Sequence, residues 1–103
     1  MRFLLKAEIP TDAGNKAIKE GKLGKILEEI SKELKPEYTF FAATDGHRTS
    51  YMIVNLNDAS QIPAAAEPFF LALGAKVELE PVMLTEDLMK SMPAIEKAVK
   101  NYG

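Results

Sequence analysis

Two stretches of strand-forming residues meet at Asp45-Gly46, and that junction constrains the fold more than any other feature of the chain. Residues 37–44, Glu-Tyr-Thr-Phe-Phe-Ala-Ala-Thr, are rich in aromatic and β-forming side chains, and residues 48–56, Arg-Thr-Ser-Tyr-Met-Ile-Val-Asn-Leu, form the returning run. Asp-Gly supplies the two positive-φ positions of a tight hairpin turn. The spacing therefore predicts two adjacent antiparallel strands.

The flanking segments add two more strands and two covering helices. Residues 2–9 alternate, with Phe3, Leu5, Ala7 and Ile9 on one face and Arg2, Leu4, Lys6 and Glu8 on the other. Pro10 ends that strand. Thr11 or Asp12 is the expected cap of a helix starting near Ala13. Gly14, Gly21 and Gly24 weaken it by about 1 kcal/mol each relative to alanine, so its start is expected to be short or loosened. From about Lys22 to Lys35 an apolar stripe of Leu23, Ile26, Leu27, Ile30 and Leu34 predicts a firm helix, stopped by Pro36. Asp58 with Gln61 three residues on makes a capping box ahead of Ile62, Ala65, Ala66, Phe69, Phe70 and Leu73. Pro68 is expected to bend or split that helix, and Gly74 suits its left-handed end. Val77 and Leu79 then alternate with Glu78 and Glu80, and Pro81 implies an edge position or a strand end. Thr85-Glu86-Asp87 opens a last helix, residues 85–101, with Leu88, Met92, Ile95 and Val99 on one side and a kink expected at Pro93.

Strand, helix, strand, strand, helix, strand predicts an α+β domain of the ferredoxin-like βαββαβ kind. Its sheet is four-stranded and antiparallel, with the helices on one face. The chain reads as a single domain, residues 1–103, with a core at 1–84 and the C-terminal helix beyond it. Phe3, Leu5, Val77 and Leu79 are expected to face the helices. The length of 103 residues and 47% hydrophobic content suit one globular domain. A net charge of −2 argues against a nucleic-acid partner. No apolar run is long enough to span a bilayer, and the N-terminus lacks a signal-peptide pattern, so no membrane partner and a cytoplasmic location are expected. With no cysteine and one histidine, disulfides, thiolate chemistry and a metal centre are not expected, nor is a cofactor. No catalytic triad or phosphate loop is spelled out.

The sheet face away from the helices carries Leu4, Lys6, Glu8, Glu78 and Glu80. The hairpin adds either Tyr38, Phe40 and Ala42 or Thr39, Phe41 and Ala43, together with either Tyr51 and Ile53 or Ser50, Met52 and Val54. Each alternative contains large apolar groups, so half of this face is apolar and half charged. An apolar area of that kind marks an interface or a ligand groove. A homodimer in which two sheets meet around a cavity is the expectation, with the C-terminal helix available to cover the partner.

The opening Met-Arg-Phe-Leu-Leu-Lys, the strand Thr-Ser-Tyr-Met-Ile-Val-Asn-Leu followed by Asn-Asp-Ala-Ser, and the closing Val-Glu-Leu-Glu-Pro-Val resemble the dimeric α+β barrel superfamily. Within it the chain is most similar to small bacterial proteins of unknown function. The resemblance spans most of residues 1–84 and implies a dimer with an inner pocket. Members of that superfamily include monooxygenases of antibiotic biosynthesis, muconolactone isomerases and ligand-binding regulators. The isomerase tail motif His-Pro-Ser-Ser-Ile is absent here. Haem-binding relatives use a histidine, and His47 in the turn is the only one available.

The candidate pocket or interface residues are Lys6, Glu8, Phe40, Arg48, Tyr51, Glu78 and Glu80. Lys6 with the three glutamates would form an acid–base cluster in which one carboxyl is pushed towards neutrality; the simpler reading is cross-strand ion pairing on a wet face. Arg48 with Tyr51 would hold a carboxylate ligand; the simpler reading is a strand-start arginine and a packed tyrosine. His47 reads as a solvated turn residue rather than a base. The leading expectation is a homodimer that binds a small, partly apolar ligand. The alternatives are a cofactor-independent monooxygenase- or isomerase-like enzyme, and a protein-interaction module.

Overall fold

In the computed structural model, which covers residues 1–103, alternation and turn chemistry produce four strands: β1 (Arg2–Ile9), β2 (Tyr38–Thr44), β3 (His47–Asn55) and β4 (Lys76–Pro81). All pair antiparallel, in the order β2-β3-β1-β4. The chain from β1 to β2, and again from β3 to β4, passes through helices and returns parallel to its start, with one antiparallel strand between the two. Asp45 and Gly46 take φ of 53° and 78°, the paired left-handed geometry that joins β2 to β3 without splaying them. β4 is an edge strand that ends on Pro81, where the missing N–H costs the sheet nothing.

The first crossover contains two helices, α1 (Thr11–Lys19) and α2 (Leu23–Leu34). Gly21, at φ 69°, breaks them apart. The expected side-chain cap is not used. α1 starts directly after Pro10, whose extended backbone offers its carbonyl to Gly14 N–H at 2.9 Å, and neither Thr11 nor Asp12 caps it. The second crossover is a short 3₁₀ turn, Ala59–Gln61, leading into α3 (Ile62–Leu73). The Asp58/Gln61 capping box forms as expected. Pro68 lies within α3 without splitting it, and Gly74 closes it at φ 58°.

The core lies between the helices and one face of the sheet. Leu5, Ala7 and Ile9 of β1 and Met52 and Val54 of β3 bury against Ala65, Phe69 and Leu73 of α3 and Ile30 of α2. Phe3, Val77 and Leu79 pack at its margin, as their parity predicts. Edge strand β2 is less well covered. Phe41 points to the helix side yet stays 63% exposed.

The tail is two helices rather than one. α4 (Thr85–Lys90) and α5 (Met92–Tyr102) meet at Ser91, and Pro93 occupies the first turn of α5, where its missing N–H is harmless. Neither helix has a buried residue. The radius of gyration is 17.1 Å and the longest dimension 58 Å, against about 13 Å expected for a compact chain of this size. The tail therefore projects as an arm, with Leu88, Met89, Ile95 and Val99 exposed along it.

Candidate functional site

The registers arrange the bare sheet face as rows running from β2 to β4. One row reads Tyr38, Ile53, Leu4, Glu80; the next Phe40, Tyr51, Lys6, Glu78; the next Ala42, Thr49, Glu8, Lys76. This settles which hairpin set faces away from the helices: Tyr38, Phe40 and Ala42, with Tyr51 and Ile53. The choice follows from β3 pairing with β1, where Ile9 opposite Arg48 sends Arg48, Ser50, Met52 and Val54 to the helix side.

The β2 half of the face is apolar. The Tyr38 and Phe40 rings stack at 6.1 Å with an interplanar angle of 5°, and are 63% and 55% exposed. Ile53 and Leu4 continue the patch inward. The β4 half is charged. Lys76 Nζ lies 3.7 Å from Glu78 Oε1, whereas Glu80 and Lys6 make no ion pair. Lys6, Glu8, Glu78 and Glu80 thus share a face, but no two of their carboxylates are joined in a common acid–base pair.

Glu8 instead turns to His47. Nδ1 of the imidazole is buried 3.1 Å from Glu8 Oε1 and makes no hydrogen bond. His47 is therefore the first residue of β3 with a carboxylate neighbour, not a free turn residue. Thr49 Oγ1–H donates to the His47 carbonyl at 3.0 Å. The Tyr51 and Thr44 hydroxyls meet at 2.6 Å. That hydrogen bond draws the phenol two rows along the sheet, which explains why Thr49 is buried on an otherwise open face. At the opposite end, Glu37 Oε1 accepts from Arg2 Nε–H at 2.8 Å and from Asn55 Nδ2–H at 2.7 Å. The Asn55 amide first, then the Arg2 guanidinium, holds the Glu37 carboxyl below the usual carboxylate range.

Arg48 and Tyr51 do not converge. Three residues apart on one strand, they project from opposite faces. The pairing of an arginine and a phenol on one carboxylate is thus ruled out by the strand itself. Of the seven candidate residues, Lys6, Glu8, Phe40, Tyr51, Glu78 and Glu80 share the open face and Arg48 lies behind it.

No cavity is enclosed over the Phe40–Tyr51–Lys6–Glu78 row; the cavities of the single chain lie among the helices, beside Arg48, and at the sheet ends. No group of three or more carboxylates or imidazoles is placed to hold a metal ion. No helix is long and apolar enough to cross a membrane. No protein-family model, curated protein or solved structure matches the chain.

Proposed function

We propose that the chain is one half of a homodimer in which the bare faces of two ferredoxin-like sheets meet and the space between them takes a small, partly apolar ligand. The observation that carries this reading is the Tyr38–Phe40–Ile53–Leu4 patch, left uncovered by every helix of its own chain. The strand order supports the ferredoxin-like assignment, because it sets each pair of crossover-linked strands on either side of one antiparallel neighbour. A two-fold pairing lays this patch on its own copy.

The dimensions support a role for the arm. Four strands about 4.8 Å apart and about 26 Å long give a face of about 500 Å². A stable interface covers about 800 Å² per partner. α4 and α5 together extend about 25 Å and expose an apolar stripe, so an arm laid over the partner supplies the remaining area. Closing the flat face would also create the cavity that the single chain lacks, lined by Lys6, Tyr51 and Glu78.

An enzymatic reading has one specific observation in its favour, the Glu8–His47 contact, which sets a carboxylate beside an imidazole on that same face. Light scattering on the eluting protein tests the dimer. A mass twice the 11.4 kDa chain at micromolar concentration is expected, and a single-chain mass there would overturn it.

A further inference from the structure

Behind the proposed subunit face, the shortfall in helix cover over β2 opens a groove between β2 and α2 of about 330 Å³. Ile9, Leu23, Leu27, Phe41 and Ala43 wall it, and Arg48 stands at it as the one charged residue. We propose that this groove binds an amphiphilic monocarboxylate, its chain against the Leu23–Leu27–Phe41 wall and its carboxylate on the Arg48 guanidinium.

Three features carry the assignment. First, the volume and lining match those of small-molecule sites, which are largely apolar with a few placed polar groups. Secondly, Arg48 is exposed and makes no ion pair with any residue of its own chain, so its guanidinium is free to take a ligand. A guanidinium offers two parallel N–H donors to a planar carboxylate. A single cation with no lysine beside it favours a singly charged head over a phosphate. Thirdly, the Arg48 side chain lies against α1. Gly14 of α1 lies under it, and a Cβ there would come within 2.8 Å of Nη1. A mid-helix glycine is unfavourable relative to alanine by about 1 kcal/mol, and here it leaves room for the arginine.

The site is independent of the dimer face, since Arg48 and Phe41 point to the opposite side of the sheet from Phe40 and Tyr51. The test is a titration of the full chain with decanoate, kept below its micellar concentration, and with decanol, followed through backbone amide shifts. Shifts at Leu23, Leu27, Phe41 and Arg48 are expected, with decanoate favoured over decanol about tenfold or more. Arg48→Gln is expected to erase that preference and leave decanol binding unchanged. Phe41→Ser is expected to weaken both ligands. The proposal is overturned if the two ligands bind equally, if Arg48→Gln has no effect, if neither binds, or if the shifts fall on Tyr38 and Phe40. It is also overturned if the groove amides move on dilution rather than on titration, which would make the groove a subunit contact.

Discussion

Replacing Phe40 by alanine separates the proposed interface from the fold itself. Phe40 is 55% exposed in the single chain. A phenylalanine presents about 200 Å², so pairing of the faces removes about 100 Å² of it from water. At about 25 cal/mol per Å² that burial stabilises the dimer by about 2.5 kcal/mol per copy. Alanine retains a small share, leaving a loss of about 2 kcal/mol per copy. A two-fold interface contains the residue twice, so the dimer loses about 4 kcal/mol, or about a thousandfold in Kd. Within one chain the change removes the stack on Tyr38, worth about 0.5–1.5 kcal/mol, and the roughly 90 Å² that Phe40 already buries, worth about 2 kcal/mol, so folding is read separately from association. Sedimentation velocity over a concentration series reads the association, and urea denaturation reads the fold. A Kd shifted by less than about tenfold, with folding intact, would refute the reasoning.

Further expectations concern the arm, the core and acid stability. Ending the chain after Leu84 should weaken dimerisation measurably by sedimentation, while at concentrations dilute enough to keep both forms single-chain the thermal transition should change little, because α4 and α5 contain no buried residue. Phe69→Ala, at a site with no exposure, should destabilise by about 3–5 kcal/mol in urea, whereas Leu71→Ala, at an 83% exposed site on the same helix, should change stability by about 0.5 kcal/mol or less. Glu37 has its carboxyl pKa lowered by Asn55 and Arg2, so its contribution is complete above the ordinary value of 4.5 and is lost as pH falls through the lower folded value. Glu37→Gln should therefore flatten the acid limb of the stability curve and leave its shape near neutrality unchanged, as read from urea midpoints across pH.

Much of the fold was legible because period and punctuation agree. Asp45-Gly46, Gly74 and Pro81 each sit where their backbone chemistry requires, and the parity of Phe3, Leu5, Val77 and Leu79 is enough to place the helices. The hairpin was harder. Phe40 and Phe41 are equally apolar, so composition could not orient β2, and only the pairing of Ile9 with Arg48 decides it. That pairing also brings His47 alongside Glu8, which a reading confined to the turn misses. The parity of Arg48 and Tyr51 was available from their spacing and already excludes a shared ligand. Glu37 gave no local signal, because its partners Arg2 and Asn55 lie on two other strands. The apolar stripe of the tail runs through Pro93 and so predicts one kinked helix, whereas the proline sits in the first turn of a new one.

The most direct test of the account is an isotope-filtered nuclear Overhauser experiment on an equal mixture of ¹³C-labelled and unlabelled chains, which detects contacts between copies only. The pairing of bare faces predicts cross-peaks linking Phe40, Ile53 and Leu4 of one copy to the sheet or arm of the other. Contacts confined to the exposed helix-side residues Phe70 and Leu71, or no contacts between copies at all, would contradict it.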